Sequence, residues 1–298
     1  MTIAVLLTAV AAGVVAATVS ISRHIRVDPI DPANEEAWMV DHARRSPHLV
    51  GFLRRRVDPR RTAGLMLTVH FAVVLACALV VGLVLDMIDE NVGIARFDER
   101  ISRWGVEHAS EGAIEVLRAV TRFGDTEVVF TVLGAVALYY VVVRRNVEVA
   151  AFLATTGIGI VALNNLLKIL VDRDRPTVGQ LVGHWGPAFP SGHSATAAAC
   201  WAAVALVLSR GRSRTVQGLL AGAAALIAAG VGASRALLGV HWLTDVVAGL
   251  VVGWGWFIVV AVAFGGRRQH FGDPIERILD ALPDRLTPTP ARRDTNPA

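Results

Sequence analysis

The sequence predicts an all-α fold, a polytopic bundle of membrane-crossing helices. Of the 298 residues, 54% are hydrophobic and 18% charged, and the apolar residues come in long runs rather than at amphipathic spacing. A soluble domain has about 45–50% apolar and about 25% charged residues, so both fractions are displaced toward lipid. Such a composition excludes a soluble globular enzyme, a disordered chain and a secreted disulfide scaffold.

A helix needs about 20 apolar residues to cross the hydrocarbon core. Seven runs qualify or come close: 3–21, 64–88, 127–143, 149–171, 194–208, 216–238 and 242–264. The third is flanked by charge and the fifth is short. The first has no basic stretch ahead of it, and Arg23 and Arg26 follow it. It therefore reads as an uncleaved anchor over 1–22 rather than a signal peptide.

Loop charge sets the orientation. Segment 23–63 holds nine arginines, among them Arg54-Arg55-Arg56 and Arg60-Arg61. Arg144-Arg145, the loop with Arg210, Arg212 and Arg214, and Arg267-Arg268 fall on the same side if the seven spans alternate. The opposite side carries 89–125, where eight acidic residues face five arginines. The expectation is a plasma-membrane protein with its N-terminus outside, its C-terminus cytoplasmic, and loops 172–193 and 239–241 facing out. Segment 23–63 reads as a basic cytoplasmic juxtamembrane region near anionic lipids.

Within 89–125, Ile114, Val116, Leu117 and Val120 suggest one amphipathic helix near 111–122, a lid on the membrane surface. The tail from 266 is polar and ends rich in proline, so partial disorder is expected there. Cys77 and Cys200 sit inside apolar runs, where a thiol is a small hydrophobe, and neither a disulfide nor a zinc site is expected. The balance of 29 basic to 25 acidic residues reflects topology rather than nucleic-acid binding. All but one of those basic residues are arginine, the exception being Lys168.

Ionisable groups at membrane helix ends are expensive and point to function. Lys168 lies near the outer end of the fourth span, followed by Arg175-Pro176; Pro190-Ser191-Gly192-His193 leads into the fifth; Ser234-Arg235 closes the sixth; His241 and Asp245 open the seventh. All converge on one face. A lysine and two arginines suit the equatorial oxygens of a transferring phosphoryl group. Ser191-Gly192 before a helix start can cradle an anion on backbone N–H groups. His241 and Asp245 are one helical turn apart, so the carboxylate can hold Nδ1–H and leave Nε2 as a nucleophile. His193 is then available as general acid. Singly, each has a plain structural reading: a satisfied interfacial histidine, a snorkelling cation, a helix cap. Asn164 and Asn165 can serve as interhelical hydrogen bonds, and Gly218, Gly222, Gly249 and Gly253 as packing positions.

The joint pattern resembles the three-part signature of the type 2 phosphatidic acid phosphatase (lipid phosphate phosphatase) superfamily. Lysine, six residues and Arg-Pro come first; then Pro-Ser-Gly-His; then Ser-Arg, five residues, His, three residues and Asp. By motif the resemblance covers 168–245, and by helical layout about 64–265; it does not reach the first span or 23–63. It implies a six-helix phosphatase core over 64–265; the N-terminal transmembrane helix ahead of that core is expected from its apolar run alone. It also implies a metal-independent reaction without cofactor and a phosphohistidine intermediate. In that resemblance His241 is the nucleophile, Asp245 its orienting carboxylate, and His193 the acid that protonates the leaving oxygen and then activates water. Lys168, Arg175, Ser191, Gly192 and Arg235 form the phosphate-binding set. Asp172 and Asp174 would repel a phosphate, so they are expected to point away or to pair with Arg173. The expected activity is hydrolysis of a lipid phosphate or pyrophosphate at the outer interface, on polyprenyl pyrophosphate, phosphatidate or phosphatidylglycerophosphate. Transfer to an acceptor through the same intermediate is the alternative, and a non-catalytic transporter or scaffold a more distant one. Membrane lipids are the expected partners, nucleic acid is not, and oligomeric state is open.

Overall fold

In the computed structural model, residues 62–183 and 185–268 are described; the first expected span, the basic segment 23–63 and the tail beyond Arg268 lie outside them. Eight α-helices and no strands are present among the described residues. They are α1 (Thr62–Asp89), α2 (Asp98–Glu107), α3 (Glu111–Thr121), α4 (Thr126–Val142), α5 (Val147–Val171), α6 (Gly192–Ser209), α7 (Arg214–Leu237) and α8 (Leu243–Arg268). Short 3-10 turns, Gly93–Phe97 and Arg122–Gly124, join α1 to α2 and α3 to α4. Phe71–Val262 pack together as one compact unit.

Among the described residues, five helices are long and apolar enough to cross a membrane, and a sixth span exists if α3 with its 3-10 turn and α4 count as one, bent by 48°. The expected span at 127–143 is thus a helix of 17 residues. α1 is apolar all round, and only 6% of its spanning window is covered by protein, leaving Phe71, Leu79 and Leu83 exposed. A surface helix of that kind is stable only where lipid replaces water.

α6 is the opposite case, with 67% of its residues buried. Its alanines, Ala195, Ala197, Ala198, Ala199 and Ala203, have almost no exposure, and small side chains let neighbouring backbones close in. α7 packs along it through Ala228 and Val231. α8 approaches it at two glycines: a Cβ on Gly249 would lie 2.5 Å from the Ser191 carbonyl oxygen, and one on Gly253 2.4 Å from that of Ala195.

The ends of the helices that carry the polar motifs are set by local chemistry. Asn146 Oδ1 accepts from the N–H groups of Glu148 and Val149 to start α5. Asp172, at φ 45°, ends it, its N–H donating to the Lys168 carbonyl. After α7, Gly239 at φ 72° reverses the chain so that both Val240 and His241 donate N–H to the Arg235 carbonyl. That turn carries His241 back over Arg235.

The segment between α1 and α4 holds two helices where the sequence suggested one. α2 was not anticipated, although Asp98, Ser102 and Gly105 fall on one face at spacings of four and three and are all buried. α3 appears close to its expected bounds, with Leu117 buried against Leu237, Leu238 and Val240 at the end of α7. Val116 departs from expectation: it is 54% exposed, because it lies about 100° around the helix from Leu117. α8 runs to Arg268, slightly past the expected start of the tail.

Adding a methyl at the α6–α8 crossing should force the backbones apart. We expect Gly249→Ala to cost about 1–3 kcal/mol in stability and to lower activity by displacing Ser191. Gly82→Ala, where a Cβ meets nothing within 4 Å, is the neutral control. Thermal unfolding in detergent distinguishes the two.

Candidate active site

The C-terminal end of α5, the start of α6, the end of α7 and the start of α8 share one end of the bundle, and the loops between them close the site. Lys168, Arg175, Ser191, Gly192, His193, Arg235, His241 and Asp245 are all placed there. Ser191, Arg235, His241 and Asp245 are buried.

Asp245 has no exposed surface, and its carboxylate is compensated by two donors, with His241 beside it. Arg173 Nη1 donates to Oδ1 at 2.6 Å, and the Trp242 backbone N–H donates to Oδ2 at 2.9 Å. His241 Nδ1 lies 3.4 Å from Oδ2, within ion-pair range but not aligned for a hydrogen bond. On the other edge of the imidazole, Arg175 Nη1 is 3.3 Å from Nε2. A guanidinium can only donate, so Nε2 is the unprotonated nitrogen and Nδ1 carries the proton facing Asp245. This is the tautomer a nucleophilic Nε2 requires. Burial above all, then the charges of Arg175, Arg235, Lys168 and His193, holds His241 well below the ordinary imidazole value, so it stays neutral.

Two of the three cations, Arg175 and Lys168, are held in place by backbone carbonyls. Arg175 donates from Nε to Gly186 (2.8 Å), from Nη1 to Val240 (2.7 Å) and from Nη2 to Trp185 (2.9 Å). Burial lowers its pKa from the ordinary guanidinium value and Asp245 opposes the shift. Lys168 Nζ donates to the Pro187 carbonyl. Arg235 Nη1 reaches Thr121 Oγ1 at 3.4 Å, while its Nε is buried with no protein partner. A buried charged donor left unsatisfied is costly, and an anion in the site would satisfy it. Gly192 lies where a Cβ would come within 3.1 Å of Asn164 Nδ2, and the Oδ1 of that asparagine is likewise without a protein partner. The Ser191 hydroxyl accepts from Ser194 Oγ at 2.9 Å.

Several residues around the site escaped the sequence reading. Arg173 does not pair with Asp172 or Asp174, which are exposed and point away. It bridges Asp245 to Asp98, donating to Asp98 Oδ2 at 3.0 Å and to Thr244 Oγ1 at 2.7 Å. Asp98 in turn accepts from the Thr244 N–H at 2.9 Å and from its hydroxyl at 2.6 Å. The third is Asp125, whose Oδ1 lies 2.9 Å from His193 Nε2. An Arg two positions before Arg175 and a Thr beside Asp245 were the available signals. Asp98 and Asp125 are separated from the motifs by more than 40 residues and become neighbours only through the fold. Among the described residues no three His, Cys, Asp or Glu side chains converge as a metal-ligand set.

Comparison with known proteins follows the same residues. The family model of the PAP2 superfamily matches residues 147–269. The chain is 30% identical over 171 residues to phosphatidylglycerophosphatase B of Bacillus subtilis, covering 55% of this chain and 81% of that relative. It is 35% identical over 129 residues to lipid A 1-phosphatase of Rhizobium etli, covering 39% of this chain and 50% of that protein. A crystal structure of a transmembrane PAP2-type phosphatidylglycerolphosphate phosphatase from Bacillus subtilis superposes with a TM-score of 0.59 at 25% identity, covering 68% of this chain and 98% of that one.

Two outcomes test this geometry. A depressed His241 pKa keeps Nε2 free as pH falls, so the acid limb of kcat/KM should lie below the ordinary imidazole range. Arg175→Ala removes the largest of the repelling charges, and the limb should then move to higher pH whatever the residual rate; an unmoved limb would contradict the assignment. Arg173→Gln should destabilise by about 3–5 kcal/mol, as loss of one member of a buried ionic set does, measured by thermal unfolding.

Proposed function

The chain belongs to the PAP2 superfamily of membrane lipid phosphatases, and from that premise we propose that it hydrolyses a lipid phosphate or pyrophosphate at the outer membrane-water interface through a phosphohistidine on His241. It is a multi-pass membrane enzyme of the phosphoric-ester hydrolase class. The observation that carries the mechanism is His241: fully enclosed, neutral, with Asp245 behind Nδ1 and a guanidinium in front of Nε2.

In this reading the phosphate head enters between Lys168, Arg175 and Arg235 and takes over donors now turned to the carbonyls of 185–187. The phosphate also meets the partnerless Nε of Arg235. Nε2 of His241 attacks phosphorus in line, the N–P bond forms, and the ester P–O bond breaks with its electron pair on the leaving oxygen. His193 supplies the proton to that oxygen. Water then attacks the phosphohistidine, giving its proton to His193, and inorganic phosphate leaves. The three cations supply the charge stabilisation that a metal supplies elsewhere, so the reaction is proposed to need none.

The substrate is proposed to be a polyprenyl pyrophosphate, phosphatidate or phosphatidylglycerophosphate of the outer leaflet. The names of the two relatives favour phosphate groups carried on membrane lipids, and the basic loops favour a site on the extracytoplasmic side with a cytoplasmic C-terminus. The proposed organisation is an anchor over 1–22, a basic cytoplasmic segment over 23–63, a catalytic core over 64–265 and a cytoplasmic tail over 266–298.

The test is phosphate release by the detergent-purified full chain from each of the three lipids with EDTA present, beside His241→Ala. Release that survives EDTA and falls at least a thousandfold in the variant is expected. Abolition by EDTA, or a variant that retains activity, overturns the mechanism.

A further inference from the structure

Asp125 occupies the residue before the first turn of α4, the place where an aspartate side chain normally caps the helix by accepting a backbone N–H. It makes no such cap bond. Its Oδ1 instead lies 2.9 Å from Nε2 of His193, on a different helix and 68 residues away in sequence. Forgoing a cap sacrifices local helix stability, so the carboxylate is held toward His193 by something stronger than helix geometry.

The packing around it is built for that contact. A Cβ on Gly124 would come within 2.6 Å of Val231 Cγ1 and 3.1 Å of both the Cβ and the carbonyl oxygen of His193, so only glycine lets the 3-10 turn lie against the start of α6. Trp201 Nε1, two turns further along α6, donates to the Phe123 carbonyl at 2.8 Å and pins the turn from the other end. At the head of the same turn, Thr121 Oγ1 accepts from Arg235. Five consecutive residues, Thr121–Asp125, therefore reach both a phosphate-binding cation and the second histidine. This segment precedes the stretch that the family model matches, 147–269.

We propose that Asp125 is the positioning residue of His193: its carboxylate takes the Nε2–H and leaves Nδ1 as the nitrogen that exchanges a proton with the reaction. The site then holds two imidazole–carboxylate pairs of opposite polarity. In His241–Asp245 the carboxylate faces Nδ1 and Nε2 reacts; in His193–Asp125 the carboxylate faces Nε2 and Nδ1 reacts. As the ester P–O bond breaks, Nδ1–H of the His193 imidazolium protonates the departing oxygen, leaving a neutral ring whose remaining proton stays on Nε2 against Asp125. In the second step, Nδ1 takes a proton from water as its oxygen bonds to phosphorus and the N–P bond returns its electrons to His241. The carboxylate stabilises the cationic ring formed each cycle and prevents it from turning.

This rests on the proposed hydrolysis and concerns its acid-base half alone, so the experiment separates the two. Phosphate release from phosphatidate, a poor leaving group, and from p-nitrophenyl phosphate, a good one, is measured for the full chain and for Asp125→Asn, His193→Ala and the double variant. Asp125→Asn is expected to lower kcat on phosphatidate at least tenfold with KM within twofold, and on p-nitrophenyl phosphate less than threefold. In the His193→Ala background it is expected to add nothing. Equal losses on the two substrates, or the same factor lost with and without His193, would overturn the role of Asp125 and leave the hydrolysis reading standing. No release by the parent chain would overturn both, whereas a His193→Ala variant at full rate would overturn the acid-base roles of His193 and Asp125 alone. If the asparagine variant does not fold, Asp125→Ser, whose hydroxyl can cap α4 while lacking the carboxylate, is read by the same leaving-group ratio.

Discussion

A carboxylate with no access to solvent at the head of a membrane helix has to be neutralised by its surroundings, and Asp245 sets the terms for everything near it. Its compensation comes from Arg173 in the loop after α5 and from the Trp242 N–H at the start of its own helix. Its backbone carbonyl also accepts the Ser191 N–H at 3.0 Å, which ties the start of α6 to the start of α8. Arg173 is charged in turn and is shared with Asp98 of α2. One buried acid thus fixes the relation of α2, the loop after α5, α6 and α8. His241 inherits its setting from that frame.

The second constraint is proximity. Side chains that converge on one site must start from backbones that lie close together, and α6 supplies this by being lined with alanine and flanked by Gly249 and Gly253 of α8. α2 meets α7 in the same way at Gly105, where a Cβ would be 2.4 Å from the Leu237 carbonyl oxygen. Lipid provides no hydrophobic drive for helices to associate, so close van der Waals packing carries the association. The same small residues that stabilise the bundle bring His193, Arg235 and His241 into one site. Stability and geometry here have a common source.

The bundle and the motif residues were legible in the sequence for a simple reason: both are local in their signal. Long apolar runs announce spans without any tertiary information, and Ser-Gly-His before one run or His and Asp one turn apart at the next are visible as short patterns. What was not legible depends on contacts across the fold. α2 is short and charged, and its buried face shows only as Asp98, Ser102 and Gly105 at helical spacing. Of the two readings open for Asp172 and Asp174, exposure away from the site is the one found, and Arg173 is aimed at Asp245, which no local pattern reveals. Asp125 read as one more acid in a loop, because nothing in the order of residues reveals that Gly124 lets it touch His193. Val116 shows the limit in the other direction, an apolar residue assigned to a buried face that the helix turns outward.

The proposed mechanism stands on a covalent bond between phosphorus and His241, and that bond can be looked for directly. His193→Ala should slow hydrolysis of the intermediate by removing the base for water. This variant would be mixed briefly with a lipid substrate labelled with 32P at the phosphate, quenched in alkali and digested. The expected result is acid-labile label on the peptide containing His241, absent when His241 is also replaced. Label on another residue, or turnover of the parent enzyme with no labelled protein at any time, would contradict it.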